Sequence, residues 1–297
     1  MFIVDHATPP PPISLVSNLI KKGFVGLFLA IGMGIGLAIV KEFFDKTAKD
    51  VEDLREKINV PVLGMIPLIK TKDDATVNIN DQKGRRDQKL ITLDYSPTFE
   101  AEAYRDLRTK ILFFNQTRKL SSFLITSSQP GDGKSLTASN LAITIAQQKI
   151  STLLIDADLR RGVLHTVFGC KKKPGLGDFL ASDATVNYDN LSKIIQDTFA
   201  PNLYLITAGS PLPNPTEMLG SQRMNDIIRT LNRKFGMVVL DTAPTRASSD
   251  AAILTRIADG VILVVRAGST NVELLKKKIN ECKCILLFPI YSQSFKR

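Results

Sequence analysis

An apolar run, Phe123-Leu-Ile-Thr126, leads into Ser128-Gln-Pro-Gly-Asp-Gly-Lys-Ser135, and a helical pattern follows from Ser135 to Gln148. A glycine-bearing turn that ends in Lys-Ser between a strand and a helix is the setting of a phosphate loop. Gly131 and Gly133 let the backbone curl so that successive N–H groups converge on phosphate oxygens, and the helix N-terminus adds its partial positive charge. Lys134 is expected to reach the β- and γ-phosphates, and the Ser135 hydroxyl to bind Mg²⁺. Ser128 stands where the strict pattern has Gly.

Two other apolar runs end in carboxylates: Leu153-Leu-Ile-Asp156-Ala-Asp158-Leu-Arg160 and Val238-Val-Leu-Asp241-Thr-Ala-Pro244. Such runs read as buried parallel strands, and acids at their carboxyl ends point into the crevice where open α/β sheets bind ligands. One such Asp also fits a loop start or a helix cap, but two strand ends beside a phosphate loop point to a site. From residue 121 onward strand-like runs alternate with helical stretches. The pattern predicts strands at 122–127, 152–156, 203–207, 237–241, 260–266 and 284–288, and helices near 134–148, 190–198, 216–234, 248–257 and 270–281. This is an α/β layout, a doubly wound and mainly parallel sheet of P-loop NTPase type, preceded by one transmembrane helix.

That helix is read from Gly23 to Val40, an uncharged stretch between Lys21-Lys22 and Lys41, long enough to cross a bilayer of about 30 Å. A signal peptide is the competing reading, but Pro9 to Pro12 occupy its approach and Lys41-Glu-Phe-Phe follows in place of a small-residue cleavage site. Lys41, Lys46, Lys49 and Arg55 outnumber Lys21 and Lys22 across the span, which favours a cytoplasmic C-terminal side. The expected organisation is a short extracytoplasmic Pro-rich segment (1–22), the span (23–40), a juxtamembrane helix and polar linker (41–95), a nucleotide-binding domain (96–281) and an atypical tail (282–297).

The chain has 297 residues, enough for a sizeable core, and a net charge of +10. The basic residues are scattered or in short clusters such as Lys171-Lys172-Lys173, without interleaved aromatics, so they read as solvated faces and no nucleic-acid partner is expected. Cys170, Cys282 and Cys284 are odd in number and lack zinc-like spacing, which fits a reducing compartment.

These segments resemble the bacterial tyrosine kinases, the cytoplasmic partners of polysaccharide chain-length regulators in exopolysaccharide and capsule export. The family's second phosphate-site segment, apolar residues followed by Asp-x-Asp-x-Arg, is matched at Leu154 to Arg160, and its Asp-x-x-Pro at Asp241 to Pro244. Glu102-x-x-Arg105-x-x-Arg108, one helical turn apart on a single face, matches the motif through which family members assemble into rings. Partition and septum-site ATPases of similar fold resemble Gly-Lys-Gly-Gly-x-Gly-Lys-Thr, whose extra lysine reaches across a dimer. Gln129 stands in that place here.

The resemblance implies a membrane-anchored protein-tyrosine kinase of the bacterial inner membrane that uses ATP and Mg²⁺, phosphorylates neighbouring subunits in trans, and regulates polysaccharide polymerisation and export. Gln129, Gly131, Asp132, Gly133, Lys134, Ser135 and Leu136 would bind ATP. Lys134 would neutralise phosphate charge. Ser135, Asp158 and Asp241 would hold the metal, directly or through water, and Asp156 would accept or orient the tyrosine proton. Arg160 fits either a phosphate contact or a carboxylate partner. Implied partners are other copies in a ring, chain-length and export proteins, and the membrane.

Two departures limit the carry-over. Only Tyr291 lies in the tail, where family members have a tyrosine cluster, and residues 282–297 do not look like the family's closing strand and helix, so the sheet is expected to lack that edge. Two other readings stand beside the kinase: an ATP-binding membrane assembly subunit with little kinase activity, and a partition-type P-loop ATPase.

Overall fold

A computed structural model describes residues 15–44, 58, 62–67, 69, 90–93, 97–118, 120–245, 249–267, 270, 272–282 and 286–290. The chain divides into two units, Met1–Lys46 and Thr47–Arg297.

The described part of the first unit is one helix, α1 (Leu15–Phe44). Its segment Lys22–Lys41 is long and apolar enough to cross a membrane, and none of its residues is buried. Phe24, Phe28, Leu29 and Met33 are exposed, so apolar side chains face outward around the helix, as in a helix that meets lipid. Of the helix expected at the start of segment 41–95, α1 includes residues 41–44, and residues 45–57 lie outside the described residues.

The second unit is built on a seven-stranded sheet in the order β3-β4-β2-β5-β1-β6-β7. Its strands are β1 (Ser122–Ser127), β2 (Thr152–Asp156), β3 (Gln196–Asp197), β4 (Leu203–Ile206), β5 (Met237–Asp241), β6 (Gly260–Arg266) and β7 (Leu286–Ile290). Every neighbouring pair is parallel except β3 with β4. The helices are α2 (Phe99–Arg118), α3 (Lys134–Ala146), α4 (Leu164–Val167), α5 (Leu176–Ala181), α6 (Tyr188–Ser192), α7 (Pro215–Leu219), α8 (Gln222–Asn232), α9 (Asp250–Leu254) and α10 (Val272–Cys282).

Strand alternation assigns each apolar side chain to one of two faces. Phe123, Ile125, Leu154, Val239 and Ile262 join Tyr104, Leu107 and Ile111 of α2 and Leu141 and Ile145 of α3 in one cluster. Leu124, Leu153, Ile155, Val238, Leu240 and Val261 join Met224, Ile227, Ile228 and Leu231 of α8 in the other. Both faces are covered, which is why β1, β2 and β5 read as continuous apolar runs. Each fully buried side chain of this size contributes about 1.5–3 kcal/mol of hydrophobic stabilisation.

Several elements depart from their predicted form. The helix expected over 216–234 is two helices, because Ser221 caps a new one: its hydroxyl accepts from Met224 N at 3.2 Å. The helix expected over 190–198 starts earlier and ends at Ser192. Asn187 caps it by accepting from Asn190 N at 2.9 Å, and Gln196–Asp197 is used as an antiparallel edge strand. A closing strand is present after all: β7 pairs with β6 from Ile262↔Leu286 to Arg266↔Ile290, two residues later than expected. Pro289 is compatible with the place of β7 as the last strand of the sheet among the described residues.

The core also takes in chain read as linker. Leu63, Ile66 and Leu90 are buried in the cluster beneath α2 and α3, and Ile58 packs with Leu263 and Leu275. Thr92 is pinned to α3, its N–H and hydroxyl both donating to Asn140 Oδ1, at 3.2 and 3.0 Å. Of the polar linker expected within 41–95, the stretch 70–90 reads as a flexible tether; residues 70–89 lie outside the described residues, and Leu90 is instead buried.

Candidate nucleotide site

The turn between β1 and α3 takes its shape from two glycines in the left-handed region, Gly131 at φ 87° and Gly133 at φ 91°. Any other residue would strain the turn there. Asp132, buried within the loop, accepts from Gln129 N at 2.8 Å and closes the turn from inside. The Ser127 hydroxyl adds a bond to the Gln129 carbonyl at 2.8 Å. Burial pushes the Asp132 carboxyl up to about 6, against the opposing effects of the Gln129 N–H and the Arg266 charge.

Lys134, at the first turn of α3, sits among acids from two neighbouring strand ends. Its Nζ lies 3.2 Å from Asp158 Oδ2, 3.6 Å from Asp241 Oδ1 and 3.1 Å from Ser135 Oγ. Burial alone would lower the lysine pKa, but Asp241 and Asp158 outweigh it and raise the value above its ordinary one. Parallel pairing of β2 with β5 sets Asp156 opposite Asp241. Burial holds the Asp241 carboxyl above the usual range, opposed by Lys134. Among the described residues the donors that face this buried carboxylate are Lys134 and Ser135, and its oxygens keep acceptor capacity beyond them. Buried acceptors of this kind, beside a lysine and a serine hydroxyl, fit a divalent cation or its bound water.

A cavity of about 780 Å³ opens over the loop. Gly131, Asp132, Gly133, Lys134, Ser135 and Leu136 line it, as does Asp158. The other wall is apolar, from Ile66, Ile69, Val163 and Val167, and Arg160, Arg161 and Arg266 add three cations. One end therefore suits a polyphosphate and the other a flat apolar group. Among the described residues no cluster of three or more His, Cys, Asp or Glu could hold a metal alone. The arrangement suits Mg²⁺, which takes one or two carboxylates and completes its shell with water and substrate phosphates.

The expected residues separate into groups. Asp158 faces the cavity, and its Oδ1 also accepts from Arg161 N at 2.9 Å. Asp156 does not line the cavity: it is fully buried, and its Oδ2 accepts from Leu164 N at 3.0 Å, holding the start of α4. Burial and then the Asp241 charge raise its pKa to about 8. Gln129 shapes the loop through its backbone and does not line the cavity. Glu102 pairs with Arg105 along α2, and Arg108 Nη1 donates to the Thr144 carbonyl of α3 at 3.3 Å, so this group lies apart from the cavity.

Arg160 pairs with a carboxylate: its Nε donates to Asp250 Oδ2 at 3.1 Å and its Nη2 to Thr216 Oγ1 at 2.8 Å. Arg266, Ile66 and Ile69 were not expected at the site. A cation closing an apolar strand run was a readable signal for Arg266. The apolar residues around Pro61 and Pro67 were the signal for the two isoleucines, obscured by the polar stretch that follows them.

Comparison with known proteins gives a consistent picture. The AAA domain family matches residues 123–286. The tyrosine-protein kinase YwqD of Bacillus subtilis is 36% identical over 213 residues, covering 70% of this chain and 88% of YwqD. The tyrosine-protein kinase etk of Escherichia coli K12 is 32% identical over 276 residues, covering 90% of this chain but 37% of etk. Among solved structures, the kinase domain of the Escherichia coli tyrosine kinase ETK superposes with a TM-score of 0.74 at 28% identity, covering 84% of this chain and 97% of that domain.

Proposed function

The chain belongs to the bacterial tyrosine-protein kinases, and from that premise we propose that it transfers the γ-phosphoryl group of ATP to tyrosine hydroxyls of proteins, with other copies of itself among the acceptors. The observation that carries this reading is the placement of Lys134 between Asp158 and Asp241 under the glycine loop. Phosphoryl transfer needs positioning and charge neutralisation more than covalent chemistry from the protein, and that is what these groups offer.

The N–H groups of Gly131 to Ser135 and the Lys134 ammonium would hold the β- and γ-phosphates. Ser135, Asp158 and Asp241 would hold Mg²⁺, which supplies charge neutralisation on the phosphate oxygens when bound. Asp158, facing the cavity, would place the metal beside the tyrosine hydroxyl, where its charge eases loss of the proton. Asp156, tied to Leu164 N beneath it, would act on that proton only by orienting the loop that carries Asp158. The apolar wall of Ile66, Ile69 and Val167 suits a nucleotide base.

Beyond the site, α1 would anchor the unit in the bacterial inner membrane with the kinase on the cytoplasmic side. Glu102, Arg105 and Arg108 would mediate self-association into a ring, and the partners would be polysaccharide chain-length and export proteins. The chain spans about a third of etk, so these roles belong to this proposal alone.

Incubation with Mg-ATP, with and without a tyrosine-rich peptide, tests the reading. Phosphotyrosine supports it. Phosphate release without phosphotyrosine favours an ATPase, and nucleotide binding without either favours an assembly subunit.

A further inference from the structure

Three segments far apart in sequence meet at Arg160. Thr216, in α7, donates its hydroxyl to Asp250 Oδ1 and accepts from Arg160 Nη2, while Arg160 Nε donates to Asp250 Oδ2. The ring is closed, so each of these polar atoms serves another member. Asp250, the first residue of α9, is fully buried, whereas the Arg160 side chain is 44% exposed on the cavity rim. Burying a carboxylate is costly unless a cation and hydrogen bonds meet it, so an acid at this place is not neutral filler.

The loop that Arg160 belongs to carries Asp158. Its backbone is already held at three points: Ala157 N to the Asp241 carbonyl at 2.8 Å, Arg161 N to Asp158 Oδ1, and Leu164 N to Asp156 Oδ2. Those bonds stay among the ends of β2 and β5, the loop itself and the start of α4. The Arg160 side chain instead ties the loop to α7 and α9, and the planar guanidinium fixes direction as well as distance. Lysine could not make both bonds with that geometry.

We propose that Asp250 and Thr216 are positioning residues for phosphoryl transfer, which act through Arg160 to hold the Asp158 loop in its reactive placement. The proposal rests on the phosphoryl-transfer reading for its kinetic consequence, and on the bonding ring alone for its effect on the loop. Small displacements of a reacting group cost large factors in rate. Loss of the ring therefore slows the chemical step without weakening the contacts that bind ATP.

The test compares Asp250→Asn, Thr216→Val and Thr216→Ser by steady-state kinetics and by amide hydrogen exchange at residues 160–164 of the nucleotide-free protein. Asp250→Asn is expected to lower kcat tenfold or more and Thr216→Val about threefold or more, with KM for ATP within twofold of wild type. Exchange at 160–164 is expected to speed up tenfold or more in Asp250→Asn, and Thr216→Ser, which keeps the hydroxyl, to behave as wild type. Combining Arg160→Ala with Asp250→Ala is expected to be no worse than the poorer single variant, since both break one ring. Unchanged exchange in both Asp250→Asn and Thr216→Val would overturn the proposal, as would a raised KM for ATP with unchanged kcat. If Asp250→Asn fails to fold, the Val and Ser variants of Thr216 decide. Faster exchange in a protein without phosphotransfer would remove the kinase reading and leave the role of the ring in place.

Discussion

Lys134 Nζ lies 3.2 Å from Asp158 Oδ2, so the lysine of the phosphate loop pairs with an acid that itself faces the nucleotide cavity. Phosphate must compete with this carboxylate for the lysine, and a divalent cation relieves the competition by giving the carboxylate another partner.

Asp158→Asn is therefore expected to tighten binding of metal-free ATP about three- to tenfold, because a like charge is removed from the phosphates and Lys134 is released. The same substitution should abolish most of the gain from added Mg²⁺. Titration of a fluorescent ATP analogue with EDTA or with Mg²⁺ checks both effects. Equal loss of affinity under the two conditions would contradict this account of the pair.

The buried Asp132 gives the phosphate loop a pH dependence. Its pKa is raised to about 6 in the folded protein, so between about pH 4 and pH 6 the folded state keeps a proton that the unfolded chain releases. Stability contributed by this group is accordingly lost as pH rises through that window. Asp132→Asn keeps an acceptor for Gln129 N and does not ionise, so its stability should fall less between pH 4 and pH 6 than that of wild type, as measured by urea unfolding.

The packing of Leu63, Ile66 and Leu90 makes the folded unit longer than the nucleotide-binding segment. Ile66→Ala is expected to cost about 2–4 kcal/mol by removing a fully buried side chain. A fragment that begins at residue 96 loses all three side chains and should unfold at lower denaturant concentration than one that begins at Thr47. Equal midpoints would contradict the placement of this segment in the core.

The chain announces some of this architecture clearly. β1, β2, β5 and β6 fall on their predicted residues because each is a short apolar run buried on both faces and closed by a polar residue or glycine. The loop residues from Gly131 to Leu136 are equally legible, since their chemistry is local: glycines for the turn, then lysine and serine at a helix start. Features that depend on where a particular side chain is placed were not. Ser221 looks like any polar residue within a helical pattern until its hydroxyl is seen to cap Met224 N. Asp156 and Asp158 are two residues apart and indistinguishable by spacing, yet β2 ends at Asp156, so one carboxylate stays beneath the loop on the strand end while the other, past it, faces the cavity. Arg160 finds its partners 56 and 90 residues away, a distance no local pattern encodes.

The most direct test of the kinase account is transfer of label from γ-³²P-ATP to tyrosine in the wild-type protein and in Lys134→Met, with Mg²⁺ and an added tyrosine peptide. The account predicts labelled phosphotyrosine with the wild type and at least about a 100-fold lower rate with Lys134→Met, because the phosphates lose their principal fixed cation. Phosphotyrosine formed at equal rates by the two proteins would contradict it.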